Sequence, residues 1–585
     1  MTRPLPLIAI AIFAAAQPAL ATELRLSSET ASQVLLADLR QELVKDAPAE
    51  TLFEARRQAR TAARNAESYL NSRGYFAPEI SFTVDAGPPP IGRVQIEPGS
   101  QFTLSEIVVE TGESTLSEAA QSALASVRTL KTGDIARPDL IFAEQAGLVA
   151  ALKVSGYADA VAEDRQVIGD RAAGTLDVTY RLDPGARIRL GNVIYPKDAR
   201  TRSAYLNRLI PFNPGDVYTP QKLATLNRRL NATRTYGFVS VQLADTPTRM
   251  TEDGDEVRDV LVQLEERDRY TLTTGTSFST SEGPGLAASL TRRNATRRGD
   301  TLTGSMTLAT LERSFTVDWR IPNVTAFDRT LVLSSDATRE ETDAFDREAV
   351  TISGTFEVRA SDHLTYALGA ASELTREEDA FEQRDQQVLS TSLGVRLDYA
   401  DDPLDATRGW RVDTRAEPGV VVGDRETQFL SLNGQISAYQ PLDKNKRIVA
   451  ATRVRSGFVF GAELSDLPVS RRFFAGGGGS ARGFEYQSVG PEDADGTPTG
   501  GRGLLEVSGE LRWRRDGPLG FVAFLDGANV SADQGVDFED IRYSAGLGLR
   551  YDTLVGPIRF DLATPIDPDQ GDDPVQVYVS IGQAF

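Results

Sequence analysis

The 585-residue chain has no cysteine, one histidine, three methionines and three tryptophans. Without cysteine there is neither a disulfide framework nor a thiolate metal site, and the lack suits the periplasm or outer membrane. The lone histidine, His363, reads as a strand side chain rather than a base or ligand. No HExxH, GxSxG or phosphate-binding glycine loop is present, so no catalytic, metal or cofactor site is expected. Positive charge is short as well: 63 Lys and Arg face 83 Asp and Glu, a net charge of -20. That balance argues against nucleic acid, which attracts basic surfaces. Long apolar runs are also missing, since no stretch reaches the ~18 apolar residues of a spanning helix. If the mature chain lives in a membrane it must cross as a closed barrel, which alone among sheets satisfies every backbone group in lipid.

The N-terminus reads as an export signal. Arg3 is a short basic region, Leu5 to Ala16 is apolar, and Ala19-Leu20-Ala21 is a small-residue cleavage site. Residues 1–21 are expected to be removed, leaving Thr22 as the mature start.

From Glu23 to Arg267 one unit recurs. Its marker is a glycine beside an aromatic residue between a helix and a strand: Gly74-Tyr75-Phe76, Gly156-Tyr157 and Tyr236-Gly237-Phe238. These glycines lie 82 and 81 residues apart, a spacing that predicts an array of similar modules. Leu35, Leu36, Leu39 and Leu43 share one helical face, and a second helix over Leu52 to Ser72 precedes Gly74, a good terminator. Leu223, Leu226 and Leu230 form a similar face before Tyr236. Alternating strands follow each marker at Ile80-Phe82-Val84, Val178-Tyr180-Leu182 and Val260-Val262-Leu264. Each unit therefore reads β-α-α-β-β. The expected modules are 22–99, 100–186 and 187–267, with breaks near Gly99 and Arg187.

From Arg269 to Phe585 the period is two. Tyr543, Ala545, Leu547, Leu549 and Tyr551 alternate with polar residues and glycine; so do Ile558, Phe560 and Leu562, and then Val575, Val577, Val579 and Ile581. Tyr578 falls on the polar face. Apolar-out, polar-in alternation is the pattern of an outer-membrane barrel. A soluble sandwich also alternates, but its interior would not hold Glu506, Glu510, Arg512 and Arg514. About sixteen antiparallel strands are expected over residues 268–585, beginning near Tyr270, Leu286, Thr301, Ser314, Arg329, Glu348, His363, Gln387, Gly409, Gln428, Lys446, Arg502, Gly520, Ile541, Gly556 and Val575. An even count puts both barrel ends in the periplasm. The glycine-rich stretch Arg471 to Tyr486, RRFFAGGGGSARGFEY, then falls in the extracellular loop between strands eleven and twelve.

This combination resembles the BamA/TamA superfamily of POTRA-plus-barrel outer-membrane assembly proteins. The resemblance is carried by Arg482-Gly483-Phe484, by Phe212-Asn213-Pro214-Gly215-Asp216 with the following leucine helix and Tyr236 to Val241, by Asp402 to Trp410, by Phe524-Leu525-Asp526-Gly527, and by Gly546 to Pro565. It implies three POTRA domains, the number of the TamA branch; BamA carries five, and two-partner secretion transporters carry two. It implies an insertase that helps barrel proteins such as autotransporters fold, with a TamB-like periplasmic partner, unfolded outer-membrane proteins as substrates, and lipid around the barrel. A BamA-like assembly core, a secretion transporter and a passive porin are the alternatives. In the family the Arg-Gly-Phe loop folds back into the lumen. There Arg482 is expected to meet Asp526 and stack on Phe524, which share one strand face. The family's mechanism works through a weak seam. Here the first strand, with Tyr270, Leu272 and Gly275, would close against the last, with Val577, Val579, Gly582 and Phe585, and glycine there offers little side-chain packing. A loosely paired edge presents backbone donors and acceptors to an incoming strand. Phe585 is expected to serve as a recognition end at the periplasmic rim.

Overall fold

A computed structural model describes residues 24–43, 49–112, 114–423, 426–515, 517–553, 558–566, 568–569 and 572–581. The expected export signal, Gly582 and Phe585 lie outside these residues.

The first module runs β1 (Arg25–Ser27), α1 (Gln33–Leu43), α2 (Leu52–Ser72), β2 (Glu79–Asp85) and β3 (Ile91–Glu97), in the sheet order β1-β3-β2. Thr51 caps α2, its hydroxyl accepting from the Glu54 N–H at 3.2 Å. Such a cap satisfies a donor the helix itself cannot. Ala55, Ala59, Ala62, Ala66 and Leu70 form the buried stripe of α2. Their small size lets the helix lie close on Val94 and Ile96 of the sheet.

The second module contains β4 (Thr103–Glu110), α3 (Glu118–Val127), α4 (Pro138–Val154), β5 (Val161–Ala162), β6 (Gln166–Asp170) and β7 (Thr175–Asp183). β7 is its central strand, parallel to β4 and antiparallel to β5 and β6. The two short strands β5 and β6 are additions to the expected β-α-α-β-β order. The third module contains β8 (Ile188–Ile194), α5 (Ser203–Leu206), α6 (Pro220–Ala232), β9 (Tyr236–Leu243), β10 (Arg249–Met250) and β11 (Glu256–Glu266).

The chain forms two compact units. Of the described residues, one comprises those up to 194, 211–225 and 242–261; the other comprises 195–210, 226–241 and those from 262 on. The third module is thus shared between them.

The marker glycines have a physical role in the first two modules. Gly74 and Gly156 take φ of +91° and +108° just past α2 and α4, the left-handed region open to glycine. Their carbonyls accept from Phe102 N–H and Ile188 N–H, both at 2.8 Å, so each helix end also fixes the start of the next module. The third marker differs. Gly237 lies inside β9, and Arg234 takes the left-handed turn with φ +55°. There the Thr235 carbonyl accepts from Arg267 N–H at 2.9 Å. A Cβ on Gly156 would lie 2.7 Å from Val217 Cγ1. Gly156→Ala is therefore expected to destabilise the first unit by about 1–2 kcal/mol from the left-handed backbone alone, measured as a lower denaturation midpoint. An unchanged midpoint would contradict this role.

The remaining strands close a barrel in simple sequence order. They are β12 (Tyr270–Ser279), β13 (Gly283–Arg293), β14 (Thr301–Ala309), β15 (Glu312–Ile321), β16 (Arg329–Glu341), β17 (Phe345–Arg359), β18 (Leu364–Asp379) and β19 (Gln383–Asp398). Then come β20 (Gly409–Gly423), β21 (Thr427–Pro441), β22 (Ile448–Phe460), β23 (Gly503–Arg514), β24 (Leu519–Ser531), β25 (Arg542–Tyr551), β26 (Ile558–Pro565) and β27 (Gln576–Ile581). All neighbours are antiparallel. The outer face carries exposed apolar residues such as Leu511, Trp513, Phe521, Leu525 and Leu547, while Glu506, Ser508, Glu510, Arg512 and Asp526 are buried within.

The turn before β20 is held by Asp401. Its carboxylate accepts from the N–H groups of Thr407 and Arg408 and from Lys446 Nζ. Partial burial pushes this carboxyl upward, but those donors and the Thr407 hydroxyl outweigh it and hold it well below the usual range.

Candidate functional site: the lumen loop and the barrel seam

The segment between β22 and β23 turns back into the barrel. Its core residues, among them Phe473, Ala475, Ala481, Phe484 and Val489, pack with Leu504, Ala528 and Val530 of the wall. Glycine is required where the backbone folds most tightly. Gly476 and Gly483 have φ of +111° and +104°. A Cβ on Gly476 would collide with the Glu485 carbonyl oxygen, and one on Gly483 would lie 2.8 Å from Ser544 Cβ.

Arg482 sits at the centre, 2% exposed. Its Nε donates to Asp526 Oδ2 at 2.7 Å and its Nη2 to Asp526 Oδ1 at 2.9 Å, a bidentate pair. The guanidinium carbon lies 3.5 Å from the Phe524 ring centroid. Two further carboxylates, which strand parity alone does not assign to Arg482, complete the set. Nη1 donates to Glu510 Oε1 at 2.8 Å and to Asp561 Oδ2 at 3.4 Å. Arg512 binds Glu510, while Arg550 and Arg559 bind Asp561. Four arginines and three carboxylates thus form one buried network across β23, β24, β25 and β26. Gly483 N–H donates to the Tyr578 hydroxyl, which donates to the Phe484 carbonyl, both at 3.2 Å. Phe484 is buried, with Arg542 over its ring.

A second anchor holds the root of the loop. Arg472 Nη2 donates to Asp379 Oδ2 at 2.6 Å, and Arg384 joins that Asp379 to Glu377. Arg471 reaches Glu373. The sequence signal was present: Glu373, Thr375, Glu377 and Asp379 occupy one face of β18, opposite the apolar one. The loop is tied to both flanks of the barrel.

Among the described residues the seam is short: β12 and β27 share two register pairs, Phe278 with Val579 and Ser279 with Tyr578, whereas β18 and β19 share fifteen. Thr280 N–H donates to the Val577 carbonyl at 3.0 Å, and Val577 N–H to the Thr280 hydroxyl at 3.0 Å. Ser580 and Ile581 pair with β26, and among the described residues they share no register pair with β12. Tyr270, Leu272 and Gly275 pair only with β13 among the described residues. The structure brings Phe278, Val577, Tyr578 and Val579 to the closure; Gly582 and Phe585, the last-strand residues expected against the start of β12, lie outside the described residues. The lumen loop touches both sides: Gly478 N–H donates to Glu282, beyond β12, at 3.1 Å, and Tyr578 of β27 holds Gly483 and Phe484.

Residues 294–585 match the Omp85 superfamily domain. The chain is 27% identical over 409 residues to the outer membrane protein assembly factor BamA of Nitratidesulfovibrio vulgaris, covering 67% of this chain and 50% of that protein. It is 22% identical over 438 residues to BamA of Neorickettsia risticii, covering 71% and 57% respectively. The chain spans about half the length of the curated relatives it matches. In fold it is similar to the crystal structure of BamA from Haemophilus ducreyi lacking POTRA domains 1–3, with a TM-score of 0.68 and 17% identity, covering 83% of this chain and all of that one. The sixteen-stranded barrel, the α/β modules before it and these likenesses identify the chain as a member of the BamA/TamA superfamily, an outer-membrane barrel with periplasmic POTRA domains.

Proposed function

We propose that this protein is a TamA-like insertase that helps β-barrel precursors, autotransporters among them, fold into the outer membrane. The observation that carries this reading is the closure between β12 and β27, which holds two register pairs among the described residues. A strand edge that, among the described residues, has few of its donors and acceptors paired across the closure can template an incoming strand by backbone pairing. The threefold array in this chain supports the TamA-like branch. β2 and β6 are open sheet edges among the described residues, and Val167 and Ile168 of β6 are exposed. Such edges suit pairing with a precursor or with a large TamB-like periplasmic partner. The role needs no catalytic group: the energy comes from folding of the precursor or from the partner.

A BamA-like assembly core is the second reading, favoured by the named relatives. Cross-linking and purification of the tagged full chain from native envelopes separates the readings. A large periplasmic TamB-like protein is the expected companion. A set of lipoproteins would favour the BamA-like core, and a single exported passenger would favour a two-partner transporter.

A further inference from the structure

We infer that a pocket at the periplasmic foot of β12 binds the phosphate of an anionic glycerophospholipid. The pocket holds about 130 Å³ and is lined by Arg200, Arg267, Arg269, Arg292, Arg293 and Arg297, with Glu266 as its one carboxylate. All lie in the same compact unit. Six permanent cations around one carboxylate are unusual in a chain of net charge -20. Arginine cannot relieve the repulsion by losing its proton.

Glu266 is already engaged. It takes an ion pair from Arg200 at 3.3 Å and a hydrogen bond from the Arg200 N–H at 3.1 Å. Among the described residues the other five arginines have no carboxylate within 4 Å. Arg267 and Arg293 donate to neutral oxygens, those of Tyr236, Asp268 and Thr271. Arg269, Arg292 and Arg297 have no side-chain hydrogen bond to a described residue. Asp300, the nearby buried acid, is occupied by Thr296 N–H and Trp319 Nε1, at 2.9 and 2.8 Å. Those bonds, with left-handed Asn294 and Arg297 (φ +53° and +66°), shape the turn that presents Arg297. The forked donors of arginine match phosphate oxygens.

The surroundings select a lipid over free phosphate. Arg292 is in register with Tyr270, and the next outward pair is Leu272 with Leu290. These two leucines are 69% and 51% exposed and Tyr270 is 53% exposed. An aromatic residue at the rim with apolar residues above it is the pattern of a membrane interface. Acyl chains lying on Leu272 and Leu290 would bring their phosphate to Arg292 and its neighbours. The bound lipid would hold the foot of β12 on the side that shares no register pair with β27 among the described residues. This site does not depend on the assembly reading.

The test uses the full chain in detergent, with binding read by native mass spectrometry and by thermal midpoint. The probes are phosphatidylglycerol, phosphatidylcholine and inorganic phosphate. The expected result is retention and stabilisation by phosphatidylglycerol alone. The variant R269Q/R292Q/R297Q, its folding checked by heat-modifiable gel mobility, should bind phosphatidylglycerol roughly a hundredfold more weakly. Should that variant fail to fold, R292Q alone should bind roughly fivefold more weakly. Undiminished binding by a folded variant, or no preference over phosphatidylcholine, would overturn the assignment. Equal stabilisation by inorganic phosphate would overturn the lipid as occupant.

Discussion

Arg482→Ala is expected to cost the barrel about 3–5 kcal/mol, the usual penalty for breaking a buried ion pair from one side. The loss should fall mainly on one residue. Glu510 keeps Arg512, and Asp561 keeps Arg550 and Arg559, but Asp526 loses both bonds of its bidentate pair. The bonds remaining to Asp526 are those from the Ser508 hydroxyl at 2.5 Å and from the backbone N–H of residue 482 at 3.2 Å. Asp526→Ala should be milder, because Arg482 retains Glu510 and Asp561. The double variant removes the orphaned carboxylate and should lose little more than Arg482→Ala. Arg482→Lys should rescue poorly, since an ammonium cannot make the bidentate pair or stack flat on Phe524. Urea unfolding of the four variants in micelles reads these differences. Additive single losses would show that Arg482 and Asp526 act independently. The same substitution should also loosen the seam, because the loop meets Glu282 on one side and Tyr578 on the other.

A disulfide across the closure should abolish assembly. Phe278 and Val579 are register partners, and the Thr280–Val577 backbone bond places them in a hydrogen-bonded pair. Such pairs have Cα atoms ~5.5 Å apart, inside the range a disulfide bridges. The chain has no cysteine of its own, so F278C/V579C can form only this bond. Oxidised protein should remain a heat-resistant barrel while its precursor-folding rate falls at least about tenfold, a barrier change of ~1.4 kcal/mol. Reduction should restore it. Full activity with the bond formed would mean that substrates do not pass through this seam.

Much of the barrel was legible in residue order because its two faces meet opposite solvents. Lipid demands apolar side chains and the lumen accepts charged ones, so alternation marks both a strand and its orientation. Strand starts read at Tyr270, Thr301, Arg329 and Gly409 coincide with those observed, and Lys446 misses Ile448 by two residues. The same parity sets Phe524 and Asp526 on one face, and the structure places Arg482 against both. Glu510 and Asp561 could not be assigned to Arg482 in that way. Their approach depends on the stagger of four strands and on the depth to which the loop descends, neither of which has a local signature. Arg472 with Asp379 is a contact of the same kind, 93 residues apart in sequence. The third marker glycine misled for a different reason: the motif continued, but the left-handed turn had moved to Arg234.

The most direct test is the folding of a urea-unfolded outer-membrane β-barrel precursor into lipid vesicles, followed over time by heat-modifiable gel mobility. Three preparations are compared: vesicles holding the full-length protein, vesicles holding oxidised F278C/V579C, and vesicles without protein. The expected result is faster folding with the full-length protein than with either of the others, which should match each other. Equal rates in all three would contradict a role in barrel assembly through the β12–β27 seam.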